Sequence, residues 1–191
     1  MAKRESTFIN MLVTLVLVTG IAAAALGFVY DFTKEPIEAA KLKAQTEAIT
    51  QVLPEFDTLG ISFKAPTGGG DSLELFPAYK GGELVGTAIK TYTKEGFSGL
   101  ISVMCGVDKD GNFSGYSILE HAETPGLGSK MDPWFKTDKG NQNVIGKNPE
   151  TTDFHVTKDG GQIDAITAST ISSRAFLDAL RRAYEAYKKE E

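Results

Sequence analysis

The sequence has very little cysteine and histidine, which limits the kinds of site that it can form. Its 191 residues include one cysteine, Cys105, and two histidines, His121 and His155. One cysteine excludes an intrachain disulfide and argues against cysteine-rich zinc or iron–sulfur sites. Two histidines leave little room for a histidine metal cage. We expect Cys105, in an apolar predicted strand, to be a buried thiol, and both histidines to be structural or solvent-facing.

A basic surface is also missing. The chain has 20 Lys and Arg against 25 Asp and Glu, which gives a formal net charge of -5. Non-specific DNA or RNA binding needs clustered positive charge, so we expect no nucleic-acid partner. The sequence contains no Walker loop, no complete dinucleotide fingerprint and no Gly-x-Ser-x-Gly elbow. The usual enzyme motifs are therefore weak or missing in this sequence.

Charged side chains are absent from residues 8–30. As a helix this segment is about 34 Å long, enough to cross a bilayer. The basic pair Lys3 and Arg4 and the alanine run 22–25 are also features of a cleaved signal peptide. The apolar run continues to Tyr30, beyond a usual signal core, so the sequence favours a retained single-pass anchor in membrane lipid.

The orientation of this anchor depends on the charges that flank it. A simple count of positive charge does not fix the orientation, because three lysines follow the anchor and offset the N-terminal pair: Lys34, Lys41 and Lys43. A basic pair at the very start of a first signal-like segment favours a cytoplasmic N-terminus and a domain on the outer side. No charged side chain lies within the anchor, so it does not resemble an ion path.

The rest of the chain predicts an α+β fold. We divide it into an N-terminal segment (1–30), a juxtamembrane helix or stalk (31–60) with a break near Pro36, and a domain (61–191). Three hairpins are predicted around glycine-containing turns: 73–80 with 83–92, 100–108 with 112–120, and 154–158 with 162–166. A final helix with an apolar stripe begins near Ser172 or Ser173. Strands followed by a helix predict an antiparallel sheet with packed helices.

Two stretches could hold a ligand. Residues 121–129 contain Pro125, which fixes a turn, and Gly126 and Gly128, which let backbone approach a flat or anionic ligand. This stretch could equally be a tight connection. Residues 164–173 join the last predicted strand to the last helix and carry five hydroxyls in seven positions: Thr167, Ser169, Thr170, Ser172 and Ser173. A helix N-terminus favours an anion, and ordinary capping accounts for only one of these hydroxyls.

The second stretch resembles the flavinylation signature Asp-x-x-Ser/Thr-Gly-Ala-Thr-x-Ser/Thr of the FMN-binding domain family. In that family a flavin transferase attaches FMN to the final threonine through a phosphoester, which corresponds to Thr170 here. Asp164, Thr167 and Ser172 occupy the other motif positions. The family's Gly-Ala is replaced by Ala168 and Ser169. This change penalises a positive φ and adds a hydroxyl beside Thr170.

The resemblance extends over nearly the whole chain. The order of anchor, Gly-Phe-Ser-Gly (96–99), Gly111 turn, Glu-Thr-Pro-Gly-Leu-Gly (123–128) and threonine motif is that of the family's membrane-anchored members. These are G subunits of Rnf ion-translocating complexes, and their relatives are C subunits of sodium-translocating NADH:quinone reductases. The latter are usually longer, so the compact chain favours the Rnf type.

The resemblance implies an electron carrier with covalent FMN, serving between the other subunits of an Rnf complex in the cytoplasmic membrane. It implies a flavin transferase for maturation. It also implies roles for the motif residues. Thr170 is the covalent acceptor; Asp164 and Thr167 support transferase recognition and phosphate placement; Ser169 offers a neighbouring hydroxyl; Ser172 and Ser173 cap the helix and approach the phosphate; and Glu123, Thr124, Gly126, Leu127 and Gly128 form the loop beside the ring.

Two other classes of protein share parts of this pattern. A pilin-like subunit also has an apolar N-terminal helix and a β-rich domain, but the processing site expected before that helix is missing. An exported binding domain could hold a phosphate without a covalent bond. Denaturation would release such a ligand, whereas an esterified flavin would stay on the chain.

Overall fold

The computed structural model describes residues 7–68 and 70–189. The chain forms two compact units, Met1–Lys43 and Ala44–Glu191. The basic pair Lys3 and Arg4, on which the predicted orientation depends, lies outside the described residues.

Helix α1 (Phe8–Val52) contains the predicted anchor. By length and composition it can cross a membrane, and the large apolar side chains of residues 8–30 are exposed. The two threonines within residues 8–30 are satisfied locally, since the hydroxyls of Thr14 and Thr19 donate to the carbonyls of Asn10 and Leu15 at 2.7 and 2.8 Å. The surface of this segment is therefore largely apolar.

The predicted break near Pro36 was wrong, because Pro36 lies inside α1. A proline in a helix removes one backbone donor and crowds the preceding turn. The residues around it are largely Glu, Lys and Ala, which are strong helix formers and continue the helix on both sides.

The second unit is built on an antiparallel sheet. Its strands are β1 (Thr58–Leu59), β2 (Phe63–Pro66), β3 (Ser72–Lys80), β4 (Glu83–Gly96), β5 (Gly99–Asp108) and β6 (Phe113–His121). They pair in the order β1-β3-β4-β5-β6, and β2 also pairs with β3. The first two predicted hairpins are confirmed as β3–β4 and β5–β6. In the first turn, Gly81 and Gly82 have φ values of 60° and 87°. A two-residue type I′ hairpin turn requires a positive φ at both central residues.

The third predicted hairpin was wrong. Residues 157–159 form a 3₁₀ turn, and only one isolated bridge joins Val156 to Ile163. Both of these side chains are buried in the core, so the segment is held by packing and not by a ladder of strand pairs. His155 is consequently not in a strand; it is exposed and pairs with Asp153, as expected of a solvent-facing histidine.

Helices cover both faces of the sheet, which confirms the α+β class. The main core lies between the sheet and helix α3 (Thr170–Lys188), whose Phe176 stacks on Phe135 just after the short helix α2 (Met131–Trp134). Cys105 is buried in this core, as predicted, and burial raises the pKa of its thiol. A smaller cluster on the other face includes the last turn of α1. Its buried members are Ala48, Ile49, Val52, Leu53, Phe76, Ala78, Ala88 and Met104.

Two glycines of the sheet let the end of α1 approach closely. A Cβ at Gly106 would lie 2.1 Å from the carbonyl oxygen of Val52, and a Cβ at Gly115 would lie 2.9 Å from the Val52 Cα. The hydroxyl of Ser114 donates to the same carbonyl at 2.6 Å, which satisfies one of the free acceptors at a helix C-terminus. Residues 44–52 are thus an integral part of the second unit.

Candidate functional site

The two motif stretches lie against the same cavity, although more than 30 residues separate them in sequence. The cavity has a volume of about 320 Å³. One wall comes from the turn between β4 and β5 and from the loop after β6, and the other from the start of α3. The lining residues are Phe97, Glu123, Thr124, Leu127, Gly128, Ala168, Ser169, Thr170, Ile171 and Ser172.

Glu123 joins the two walls. Its side chain is 4% exposed, and the backbone N–H of Ser98 donates to its Oε1 at 2.9 Å. The hydroxyl of Ser172 donates to Oε2 from the first turn of α3. One buried carboxylate therefore holds the β4–β5 turn and helix α3 in place through two hydrogen bonds.

The loop after β6 is a compact turn. The N–H groups of Leu127 and Ser129 donate to the carbonyl of Thr124 at 3.1 and 3.4 Å. The hydroxyl of Ser129 accepts the Gly126 N–H at 2.9 Å, and Gly126 has a φ of 79°, which favours glycine. Gly126 thus shapes the turn but lies outside the cavity lining.

Gly128 is required by close approach. A Cβ at this position would lie 2.5 Å from both Glu123 Oε2 and Ser172 Oγ. Any larger residue would push apart the hydrogen bond that joins the two walls. The predicted loop residues that reach the cavity are therefore Glu123, Thr124, Leu127 and Gly128.

Helix α3 begins earlier than predicted. Its first residue is Thr170, and Ser169 is the N-cap, with no hydrogen bond from its side chain to the helix. The prediction that Ser172 and Ser173 cap the helix was wrong, because both lie within its first turn and point elsewhere. Ser173 Oγ accepts the Ile166 N–H and donates to the Ser169 carbonyl, both at 2.9 Å, while Ser172 bonds Glu123.

The missing side-chain cap matters for ligand binding. The first-turn amides of an α-helix have no acceptor within the helix, and the helix dipole places partial positive charge beside them. Here the N-cap side chain does not occupy them. Thr170 stands at this end, half-buried and on the cavity wall, so the geometry suits a phosphoryl group attached to its hydroxyl.

A cation that the sequence did not reveal lies beside Thr170. Lys158 Nζ donates to Thr170 Oγ1 at 3.1 Å from the 3₁₀ turn 157–159. Twelve residues separate the two, and only the true conformation of 154–166 brings them together. The prediction of strands in this segment concealed the contact.

The other two residues of the threonine motif lie outside the cavity lining. Asp164 Oδ2 accepts the Asn141 N–H at 2.9 Å, and its carbonyl accepts the Trp134 indole N–H at 3.0 Å. Asp164 therefore fixes the segment before α3 to the loop that follows α2. Thr167 is exposed.

Apolar side chains line the mouth of the cavity. Phe97, Leu127 and Ile171 are 67%, 41% and 48% exposed, although each is large and hydrophobic. Phe97 was not predicted as a site residue. Its position in a Gly-Phe-Ser-Gly turn, which exposes a large apolar ring, was the available indication. Such a lining suits a flat aromatic ring, with the helix end suited to a phosphate. Among the described residues, no group of three or more His, Cys, Asp or Glu could hold a metal ion.

Comparison with known proteins agrees with this arrangement. The model of the FMN-binding domain family matches residues 96–185, which include every residue that lines the cavity. The chain is 33% identical to the G subunit of the ion-translocating oxidoreductase complex of Aliivibrio fischeri over 180 residues, covering 88% of this chain and 85% of the relative.

Two further relatives show similar identity. The G subunit of the corresponding complex of Methanosarcina acetivorans is 32% identical over 187 residues, with 92% of each chain covered. The G subunit from Cronobacter sakazakii is 33% identical over 181 residues, with 90% of this chain and 86% of the relative covered. In each of these comparisons the alignment covers most of both chains.

Proposed function

Because the chain belongs to the family of G subunits of ion-translocating oxidoreductase complexes and has an FMN-binding domain, we propose that it is a membrane-anchored electron carrier with FMN esterified to Thr170. The observation that supports this most is the convergence of the loop 123–128 and the threonine motif on one cavity, with Thr170 at an uncapped helix start. The chain performs no independent turnover.

The side chains divide the work of holding the cofactor. When bound, FMN supplies the redox chemistry, and the protein sets its position and its potential. Thr170 tethers the phosphate, and the amides at the start of α3 stabilise its charge. Phe97, Leu127 and Ile171 cover the apolar part of the ring and keep water from it. Glu123 holds the two walls of the cavity together through its bonds to Ser98 and Ser172.

Attachment of the flavin is a phosphoryl transfer. Thr170 Oγ1 forms a bond to phosphorus and loses its proton, while the leaving group of an activated flavin nucleotide departs from the same phosphorus. The chain thus gains the mass of FMN less one water. A flavin transferase carries out this step. Asp164 acts by fixing the motif to the rest of the domain, where the transferase meets it.

The partners are the other subunits of an Rnf-type complex, in which electrons pass between ferredoxin and NAD with movement of Na⁺ or H⁺. Residues 8–30 anchor the chain once in the cytoplasmic membrane, with the N-terminus inside and the flavin domain outside. Residues 31–43 connect the anchor to the second unit, which begins at Ala44 and so includes residues 44–60 that the sequence had assigned to the stalk. The ion path belongs to the partners, since residues 8–30 carry no charged side chain.

The decisive experiment measures flavin on denatured protein. The full chain is coexpressed with a flavin transferase, and wild type is compared with Thr170→Ala, Ser169→Ala and Thr167→Ala by in-gel fluorescence and intact mass. The two control variants remove the neighbouring hydroxyls of the motif. We expect fluorescence and the added mass in wild type and in both of these variants, at lower yield in Thr167→Ala because Thr167 supports transferase recognition, and neither in Thr170→Ala.

Two results would contradict the proposal. Fluorescence retained by Thr170→Ala and lost from a control would move the attachment to Ser169 or Thr167. A wild-type band that is dark after denaturation, from protein that was yellow before it, would show non-covalent binding.

A further inference from the structure

We propose that the ammonium group of Lys158 binds the phosphoryl group of the flavin ester at Thr170. The inference rests on the proposed function, because it assigns a partner to the phosphate of that same site. Neither signature motif contains Lys158, which reaches the site from the 3₁₀ turn 157–159.

The contact already present is with the oxygen that would carry the ester. Lys158 Nζ donates to Thr170 Oγ1 at 3.1 Å. Esterification turns this hydroxyl into a bridging oxygen, and the negative charge resides on the unesterified oxygens of the same phosphorus. Those oxygens are two bonds further away than Oγ1, within reach of a flexible four-carbon stem. The ammonium can therefore transfer its hydrogen bond to a charged acceptor, which binds it more strongly.

Lys158 is available for this role because its acidic neighbour is already paired. Arg174 donates to both carboxylate oxygens of Asp159, from Nε and from a terminal nitrogen, each at 2.7 Å. This hydrogen bonding lowers the pKa of Asp159. Among the described residues, Lys158 forms no ion pair of its own. The ammonium thus faces the threonine without a competing carboxylate bond.

The turn that carries Lys158 is fixed in place. The Thr157 N–H donates to the Ile163 carbonyl at 2.9 Å, and the Asp159 N–H donates to the Val156 carbonyl at 2.8 Å. Val156 and Ile163 are buried in the core, which anchors both ends of the segment. The Arg174 bond then ties the turn to α3 itself.

The lysine complements what the helix end provides. Backbone amides at the start of α3 are directional donors with partial charge. An ammonium supplies a full positive charge that no helix end can match. Together they give an anion at Thr170 both orientation and charge compensation, which neither group gives alone.

The test compares Lys158→Ala, Lys158→Arg and the exposed loop variant Lys139→Ala in the full chain, each coexpressed with the flavin transferase. Flavinylated protein is examined by ³¹P NMR, and the initial rate of flavinylation is followed by intact mass. Thermal unfolding before flavinylation checks that each variant is folded.

We expect the ³¹P resonance of Lys158→Ala to shift and to lose its dependence on salt. We also expect flavinylation to slow by about fivefold, as for loss of an exposed charge pair. Lys158→Arg should retain most of the wild-type behaviour, and Lys139→Ala all of it.

An unchanged ³¹P resonance in Lys158→Ala would overturn the proposal, even if flavinylation slowed, because the lysine would then act only on the transferase. A wild-type chain that carries no flavin after denaturation would instead contradict the proposed function. The two failures are therefore distinguishable.

Discussion

Ala168 stands where the family signature has glycine, and its backbone is strained. Its φ is 62°, and no other residue except glycine has a positive φ in the described part of the chain. A side chain in the left-handed region crowds its own carbonyl, which glycine avoids. Ala168→Gly should therefore stabilise the domain.

The size of the effect follows from two opposing contributions. Relief of the left-handed conformation gains about 1 to 2 kcal/mol. Glycine makes the unfolded chain more flexible, which costs about 0.5 to 1 kcal/mol. Ala168 is exposed, so loss of its methyl group removes little packing. We expect a net gain of about 0.5 to 1 kcal/mol in the free energy of unfolding, or about 1 to 4 °C in Tm for a domain of this size.

Thermal unfolding of the full chain in detergent micelles measures this effect. Trp134 is the only tryptophan of the sequence, and its indole donates to the carbonyl of Asp164 within the threonine motif, so its fluorescence reports on this region. The control is Ala122→Gly, which replaces another alanine outside the helices and strands that is exposed and has no positive φ. That control should lose stability. A Tm for Ala168→Gly at or below the wild-type value would refute the reasoning.

Two further predictions concern charge. Glu123→Gln replaces a buried carboxylate of the cavity wall by a neutral amide and should raise the flavin midpoint potential by on the order of tens of millivolts, since a nearby negative charge disfavours reduction. A redox titration that shows an equal or lower potential would contradict this. Hydrogen bonds from Thr67, Tyr92 and Arg182 hold the pKa of Asp71 well below its usual range. Ionised Asp71 therefore stabilises the folded state. This contribution is complete above the pKa of about 4 that Asp71 has in the unfolded chain, and it is lost as pH falls toward the lower pKa of the folded state. Acid unfolding of Asp71→Asn should show a smaller loss of stability over that window than wild type, and equal slopes would exclude the mechanism.

The β-sheet was predictable because its signals are local. Turn residues such as Gly81 and Gly82 select tight hairpins, and the adjoining strands have the β-branched and aromatic residues that favour extended backbone. The register then follows from the turns and from which face is buried. These features specify β3–β4 and β5–β6 within a few residues of their observed bounds.

The segment 154–166 was not predictable in the same way. Its apolar residues at 154, 156 and 163 flank Asp-Gly-Gly, as in two short strands joined by a tight turn. Their side chains are buried in one core against α3, and that packing replaces the ladder that a hairpin would need. Tertiary contacts of this kind override local strand preference, and a single sequence contains no record of them.

The candidate site shows the same division between local and distant information. Thr170 and the loop 123–128 are recognisable because motif residues stand at fixed spacings. The bond between Glu123 and Ser172 joins residues 49 positions apart, and no local pattern predicts it. The start of α3 depends on the turn before it, where the Ser169 N–H donates to the Ile166 carbonyl at 3.0 Å and Ala168 adopts its positive φ.

Glycine at position 168 would satisfy two requirements together, a positive φ and unobstructed access to Thr170. Ala168 meets the first of them under strain. The observed φ of 62° places Thr170 at the helix start with alanine present, so the backbone conformation of the motif does not need glycine. Any effect of alanine on flavinylation must then arise from its exposed methyl group, which a transferase would meet, or from the energy of holding the turn. Ala168→Gly removes both. We therefore compare Ala168→Gly and Ala122→Gly with wild type in both stability and flavinylation rate. If Ala168→Gly is flavinylated faster, while Ala122→Gly changes the stability and leaves the flavinylation rate at the wild-type value, the faster rate arises from access to Thr170 and not from the stability of the fold.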